Sequence, residues 1–349
     1  MNEPRERLIL IDWIRLWAFL IIVTYHGSWI LWPSKLGPPN PFPTAYWQAL
    51  NDYSRPFSYS GYTIVFITAF VLGLKPRVFN GKRWLPLFLV GGWIVFSLVL
   101  WQREQSRFVI AWDIYPFLIV TFIVSDVVLA RMSGLARGVT VAVCAGLLCV
   151  PFWSLEPVLP LSDAWKMVLV GICPEDFADW PLLPWSALVL GGVALGQLYR
   201  DRPAETNLDI RPWEWLWIAG ATFSFVYIAP FYRAAPLGDG WSCYIFRLPQ
   251  SVFWSYFAGI LALIRLAVAP SVQQLLKRHP FGRFPSTLGI NRRFFAAYLS
   301  HYLFLAGFAL LFRDRFAQYP VLYDVAHVST IIMSEGTARW FSLRRRERS

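Results

Sequence analysis

The feature that most constrains this chain is a series of apolar segments, each long enough to cross the ~30 Å hydrocarbon layer of a membrane. Nine are clear, and a tenth at 319–342 is more polar because it contains His327, Glu335 and Arg339. The nine lie at residues 8–32, 57–75, 84–101, 108–130, 134–153, 181–199, 213–231, 248–268 and 294–312. Only 15% of the residues are charged, against about 25% in soluble proteins. The sequence therefore predicts an all-α polytopic membrane protein, with about ten transmembrane helices in one integral-membrane domain covering residues 1–349.

The basic residues predict how these helices are oriented. With the N-terminus in the cytoplasm, the cytoplasmic segments hold 21 Lys and Arg residues and the outer loops hold nine, as the positive-inside rule requires. The final run RRRERS also belongs in the cytoplasm, which needs an even number of spans and so counts 319–342 as a helix. Both termini are therefore expected inside. The net charge of +11 lies in these short loops, so orientation explains it and no nucleic-acid partner is expected.

The first segment carries ionisable residues where lipid would favour apolar ones. Arg15 and His26 are eleven residues apart, which places them on one helix face, ~16 Å apart along the axis. Asp12 precedes Arg15 by three residues and can pair with it. A charge at membrane depth costs about 3 kcal/mol even on the lower scales. Such residues are therefore expected to face the protein interior and to serve a function.

Each of these residues has two interpretations. His26 can act as a general base near neutral pH, or it can simply hydrogen-bond a neighbouring helix. Arg15 can bind a phosphate or carboxylate, or it can form a structural pair with Asp12. The alignment of the three polar side chains favours a functional role for His26, whereas the sequence leaves both roles of Arg15 open.

Two late segments hold further polar candidates. His301 lies in AAYLSHYLFL, three residues after Tyr298, and is either a second site histidine or a packing residue, with the site favoured. His327 and Ser334 are seven residues apart, which separates them by ~10 Å along a helix. That separation favours packing over a Ser–His hydrolase pair, and the role of the neighbouring Glu335 is left open.

The loop KPRVFNGKRWLP concentrates Lys75, Arg77, Lys82 and Arg83 at the expected cytoplasmic face. Such a cluster can hold a phosphate-bearing ligand, or it can do no more than set topology. The chain has no P-loop, no dinucleotide-binding glycine pattern, no HExxH sequence and no metal-ligand spacing of Cys and His. These absences argue against nucleotide hydrolysis, dinucleotide redox chemistry and zinc proteolysis, and no metal is expected.

Three motifs resemble those of a known superfamily. RLILIDWIRLWAFLIIVTYH resembles the opening signature of the membrane acyltransferase-3 superfamily, with Arg15 and His26 at the Arg-x10-His positions and Asp12 before them. YLSHYLF is similar to the late Tyr-Leu-x-His signature, with Tyr298 and His301. DWPLLPWSALVLGGVALGQLY is similar to the Pro-Leu-Leu-Pro-Trp segment of the heparan-alpha-glucosaminide N-acetyltransferase-like branch. The superfamily's Arg-x3-Arg motif has no match, since the basic loop has another spacing.

The resemblance implies transfer of an acyl group, most simply acetyl, from a cytoplasmic coenzyme A thioester to a hydroxyl or amine of a carbohydrate or glycolipid. The acceptor would belong to the envelope or to an exported glycan, and the protein to the plasma (inner) membrane of a bacterium, surrounded by membrane lipid. The basic loop would bind the donor's phosphates. His26 would take the acceptor's proton or be acylated itself, and Arg15, Tyr298 or His301 would stabilise the oxyanion.

Two other functions remain as alternatives. A proton-coupled secondary transporter of a small anion or sugar would use the same Asp, His and Arg residues as a proton relay. Transporters often contain inverted repeats, and no repeat is present in the sequence. A non-catalytic anchor or scaffold would leave the polar residues of the first segment unexplained.

Overall fold

The computed structural model describes residues 8–31, 60–75, 114–129, 131–171, 181–201, 209–233, 250–316 and 318–346. Within these ranges the chain is helical and contains no β-strand. The predicted all-α class is therefore confirmed for the described part of the chain.

Nine of the ten predicted segments are helices in the described residues. They are α1 (Ile9–Ile30), α2 (Ser60–Gly73), α3 (Ile114–Leu129), α4 (Gly134–Leu147), α6 (Leu182–Asp201), α7 (Pro212–Arg233), α8 (Gln250–Val268), α12 (Phe294–Phe316) and α13 (Pro320–Arg346). The remaining segment, 84–101, lies outside the described residues. The apolar segments therefore predicted most of the ends of these helices to within a few residues.

Several short helices were not predicted, because they are too short to show a hydrophobic period. A 3₁₀ helix spans Phe152–Val158, and α5 spans Asp163–Leu169. Between α8 and α12 the chain forms three more, which are α9 (Pro270–Arg278), α10 (Phe284–Thr287) and α11 (Gly289–Arg292). Pro270 lies at the first position of α9 and ends α8, since proline has no N–H to continue the helix.

By contacts the chain forms two compact units, Met1–Gly61 with Leu263–Ser349, and Tyr62–Ala262. In the first unit, α12 packs extensively against α13, and α1 contacts both of them as well as the short helices α9, α10 and α11. Phe19 and Leu305 are fully buried there. The single integral-membrane domain over residues 1–349 stays a prediction.

In the second unit, α6 is the central helix and contacts α3, α4 and α5. Its glycines allow α2 to approach closely. A Cβ atom on Gly192 would lie 2.8 Å from the carbonyl oxygen of Phe66, and one on Gly196 would collide with the carbonyl oxygen of Phe70. Small residues four apart are a common way for two apolar helices to bring their backbones together.

A test of length and hydropathy on the described residues identifies Leu182–Asp201 as able to cross a membrane. A second span results if Phe257–Val268 and Pro270–Arg278, which meet at a 70° bend, are counted together. Shorter apolar helices occur at Thr63–Gly73, Phe117–Leu129, Gly134–Leu147 and Ala296–Phe312. The ten-span topology therefore stays a prediction.

Candidate functional site

The polar side chains of α1 face the beginning of α12 and the short segment before it. Arg15 Nη1 donates a hydrogen bond to the carbonyl oxygen of Asn291 at 3.1 Å. Its guanidinium carbon lies 5.0 Å from the ring centroid of Phe294, a distance at which the ring attracts the cation. Eleven residues further along α1, His26 also contacts α12. The two side chains therefore share a helix face, as their spacing predicts.

Asp12 joins α1 to the short helices α10 and α11. Its carboxylate accepts a hydrogen bond from Ser286 Oγ at 2.7 Å, and its carbonyl oxygen accepts one from Asn291 Nδ2 at 2.8 Å. Asn291 Nδ2 also donates to the carbonyl oxygen of Pro285 at 3.0 Å. Asp12 and Asn291 are 3% and 4% exposed, so these bonds are shielded from solvent and fix the short helices that hold Arg15. The expected pairing of Asp12 with Arg15 stays a prediction.

Two histidines and a tyrosine form the centre of the candidate site. His26 Nδ1 lies 2.8 Å from His301 Nε2, and His26 Nε2 lies 3.0 Å from the hydroxyl oxygen of Tyr302. The two imidazole rings are nearly coplanar and meet edge to edge, with centroids 5.1 Å apart and an angle of 8° between their planes. One nitrogen of the histidine pair donates and the other accepts, so a single proton is shared between the rings.

Aromatic rings enclose this centre. Phe19 meets His301 edge to face at 6.0 Å between centroids, and Tyr298 lies 5.1 Å from His301 and 6.5 Å from His26. His301 is fully buried, whereas His26 and Tyr302 are partly exposed. Apolar surroundings strengthen hydrogen bonds between polar groups. Three predicted residues, His26, Tyr298 and His301, therefore lie in one cluster with Tyr302, a residue that the sequence did not single out.

The polar residues of α13 have structural surroundings. The ring of His327 is fully buried against Gly27 of α1, where any Cβ atom would collide with it, and its two nitrogens lie 3.4 Å from the carbonyl oxygens of Tyr323 and Thr24. Ser334 is also fully buried. These contacts agree with the packing interpretation of both residues.

Glu335 organises the segment that carries Asn291. Its two carboxylate oxygens accept hydrogen bonds from the backbone N–H groups of Gly289 and Ile290, each at 2.8 Å. Arg339 donates to the same carboxylate at 2.6 Å. A carboxylate that accepts two backbone N–H groups is a strong, charge-assisted anchor. Glu335 therefore links α13 to α11 and supports the Arg15 contact indirectly.

The expected donor-binding loop lies in the second unit and is described in part. Lys75 is exposed at the end of α2, and its carbonyl oxygen accepts a hydrogen bond from Arg200 Nη1 at 2.6 Å. Asp201 forms ion pairs with both Arg200 and Arg137, which ties the ends of α2, α4 and α6 together. Arg77, Lys82 and Arg83 lie outside the described residues, so their role in phosphate binding stays a prediction.

The residues missed from the sequence were Tyr302, Asn291 and Ser286. A signal for Tyr302 did exist, because it follows His301 directly and is four residues after Tyr298, on the same side of a helix. Asn291 and Ser286 lie in short helices without a period that could have marked them. No group of three His, Cys, Asp or Glu side chains that could hold a metal ion occurs among the described residues.

The arrangement is suited to moving a proton in a partly shielded place. A histidine positioned by a second histidine can accept a proton and share the resulting charge along the pair.

Residues 7–229, more than half of the chain, match the family described as heparan-alpha-glucosaminide N-acetyltransferase, catalytic. The class of protein is therefore an acyltransferase. The chain belongs to the heparan-alpha-glucosaminide N-acetyltransferase catalytic family, and the resemblance seen in the sequence is confirmed. No curated protein and no solved structure matches the chain.

The residues that match the family contain the α1 part of the candidate site but not the α12 part. Asp12, Arg15 and His26 lie within residues 7–229, whereas Tyr298, His301 and Tyr302 lie beyond them. The contacts of α12 with α1 therefore add residues to the candidate site that the family match does not cover.

Proposed function

We propose that this protein transfers an acyl group, most simply acetyl, from a coenzyme A thioester to a hydroxyl or amine of a cell-envelope or exported glycan. The observation that carries the proposal is the hydrogen-bonded position of His26, between His301 and Tyr302, in a chain of an acetyltransferase family. A carbohydrate hydroxyl is a poor nucleophile until a base takes its proton. His26 supplies that base.

In this proposal His26 acts as a general base and is not itself acylated. Its Nδ1 faces His301 and its Nε2 faces Tyr302, so each nitrogen already has a hydrogen-bond partner. Acylation of the ring would require Tyr302 to leave Nε2, whereas proton transfer through the existing hydrogen bond needs no such movement. Tyr298, close to both histidines, is the group that we propose to stabilise the oxyanion.

Arg15 has a different task. It lies about 16 Å from His26 along α1, so the two side chains cannot act on the same carbonyl group. The sequence left open whether Arg15 stabilises the oxyanion. We propose that Arg15 binds the donor instead. Arg15 is held by Asn291 and Phe294 nearer to the N-terminal end of α1 than His26, where a cation would hold an anionic or polar part of the donor. The phosphates would be bound by Lys75, Arg77, Lys82 and Arg83.

Two groups of contacts, one between α1 and α12 and one among α2, α4 and α6, support the proposed ten-span, multi-pass topology. Arg15 pairs with Phe294 and His26 with Tyr302, so α1 and α12 run in the same direction, as the first and ninth spans must. The ends of α2, α4 and α6 that carry Lys75, Arg137 and Arg200 are joined by hydrogen bonds, and the charge rule assigns all three to the cytoplasm. The donor would enter from that side and the acceptor from the other.

The test follows radioactive acetyl from acetyl-CoA into glycan in membranes that contain the protein, supplied with an extract of host glycans. The chain has four histidines, which allows a matched series. We expect His26→Ala and His301→Ala to abolish labelling, and His279→Ala, on the exposed end of the α9 segment, to leave it unchanged.

The proposal fails if folded wild-type protein neither labels glycan nor binds acetyl-CoA saturably. If His26→Ala instead abolished proton-coupled uptake of a small anion or sugar, the protein would be a transporter, an alternative that the family match does not support. Equal loss of labelling in His26→Ala and His279→Ala would indicate general damage and would remove the assignment of His26.

A further inference from the structure

Both ring nitrogens of His26 have hydrogen-bond partners. Nδ1 lies 2.8 Å from His301 Nε2, and Nε2 lies 3.0 Å from the hydroxyl oxygen of Tyr302. A substrate that gives its proton to His26 must therefore displace one of these partners or pass the proton through it.

The two partners differ in how they can be reached. His301 is fully buried and its ring is contacted by Phe19 and Tyr298, so no substrate can approach His26 through it. Tyr302 is partly exposed, and its ring lies 4.5 Å from the His26 ring and 4.4 Å from the His301 ring, centroid to centroid. These ring contacts oppose displacement of the tyrosine. Of the two partners of His26, Tyr302 is therefore the one on the partly exposed side of the hydrogen-bonded chain.

We infer that Tyr302 is a further catalytic residue, whose hydroxyl contacts the acceptor and relays its proton to His26. The inference rests on the proposed acyl transfer. The acceptor's O–H or N–H would donate to the Tyr302 oxygen, while the Tyr302 O–H donates to His26 Nε2. This requires the tautomer in which His26 carries its proton on Nδ1 and donates it to His301 Nε2.

In this step the proton and the leaving group each reach a defined atom. As the acceptor atom forms its bond to the thioester carbon, its proton moves to the Tyr302 oxygen and the Tyr302 proton moves to His26 Nε2. The tetrahedral intermediate then collapses, the carbon–sulfur bond breaks, and its electron pair leaves with sulfur. The proton on His26 Nε2 neutralises the coenzyme A thiolate through the same hydroxyl, which restores neutral His26 and protonated Tyr302.

Among the described residues, titratable groups of α12 and α13 lie close to the relay. On α12 they are Tyr298 and His301, which both contact His26. On α13, His327 lies against Gly27, next to His26 in sequence. The described neighbours of the relay are therefore aromatic side chains, and its partly exposed members are Tyr302 and His26.

The experiment compares Tyr302→Phe with Tyr319→Phe, which removes a hydroxyl from an exposed tyrosine of the same unit. Phenylalanine keeps the ring contacts with both histidines, and a thermal midpoint in detergent equal to that of wild type checks the fold. We expect Tyr302→Phe to lower kcat about 100-fold or more, with KM for acetyl-CoA unchanged. Tyr319→Phe should match wild type.

A proton inventory separates a relay from a hydroxyl that only positions His26. Single-turnover rates are measured in mixtures of H₂O and D₂O, so that chemistry and not product release is observed. Two protons in flight give a curved dependence on the D₂O fraction in wild type, and Tyr302→Phe should give a straight line. Straight lines in both proteins, or an unchanged kcat in Tyr302→Phe, would overturn the relay.

Failure of the relay and failure of the proposed function have different results. If Tyr302→Phe stays fully active while His26→Ala is inactive, the acyltransferase assignment stands and the relay is wrong. If wild type transfers no acetyl group, the proposed function fails and the relay fails with it.

Discussion

Two helix pairs in this protein are held together by different means. In one unit, α1 meets α12 through hydrogen bonds and ring contacts, with His26, His301 and Tyr302 at the contact. In the other, α2 meets α6 through glycines, and an added Cβ on Gly192 would lie 2.8 Å from a backbone oxygen. The first contact contains groups that can move a proton, and the second contains backbone and apolar side chains.

The comparison shows that the chain retains polar groups at the α1–α12 contact, where they reduce stability. Buried polar groups are mostly hydrogen-bonded. On α1, His26 has partners on α12, whereas Asp12 and Arg15 have theirs on the short helices α10 and α11. The α2–α6 contact has no such requirement, because close backbone approach gains from van der Waals contact alone. Changes in the first pair should therefore affect activity most, and changes in the second should affect stability most.

The largest effect is expected from His26→Ala. Removing the general base should lower the rate of acetyl transfer by about 10²–10⁴-fold. The thermal midpoint should fall only modestly, because fully buried His301 loses one hydrogen-bond partner, at a cost of about 1–3 kcal/mol. Labelled transfer and a melting curve on the same preparation check both statements. A large fall in the midpoint would show that the histidine pair is structural, like the α2–α6 contact.

The next effect is expected from Gly196→Ala, which should destabilise the protein by about 3 kcal/mol, since overpacking against backbone costs this much. The Cβ atom would collide with the carbonyl oxygen of Phe70. Gly138→Ala is the matched control, because nothing lies within 4 Å of a Cβ there, and it should stabilise by about 0.4–1 kcal/mol. Thermal midpoints that move in the same direction would contradict the account of the glycine contact.

A smaller loss of stability is expected from Glu335→Gln. The amide has one acceptor oxygen where the carboxylate has two, so the N–H of Gly289 or Ile290 loses its partner, at a cost of about 2 kcal/mol. Arg339→Ala is the comparison, because its side chain is 59% exposed and exposed ion pairs contribute at most about 1 kcal/mol. Chemical denaturation of the two variants checks the order.

The smallest effect is expected from Arg15→Lys. Lysine keeps the charge but cannot both donate to the carbonyl oxygen of Asn291 and lie flat over the Phe294 ring. We expect KM for acetyl-CoA to rise about tenfold, or ~1.4 kcal/mol, with kcat nearly unchanged. A fall in kcat at constant KM would place Arg15 at the reacting carbonyl instead of the donor's path.

Much of the architecture could be predicted from the sequence because helix formation in apolar segments is a local property. Apolar length located α1, α6 and α12, and the eleven-residue spacing placed Arg15 and His26 on one face of α1. Spacing within a single helix depends only on helical geometry. The late motif also identified Tyr298 and His301, although nothing local said that they meet His26.

The sequence by itself determined the helical class, the family, and the polar face of the first helix. Only the tertiary structure decided that His301 and Tyr302, about 275 residues away along the chain, supply the partners of His26. It also decided that Asn291 holds Arg15 and that Glu335 holds the segment around Asn291. The physical reason is range: a helix and its faces follow from neighbouring residues, whereas a hydrogen bond between distant segments exists only after those segments have packed.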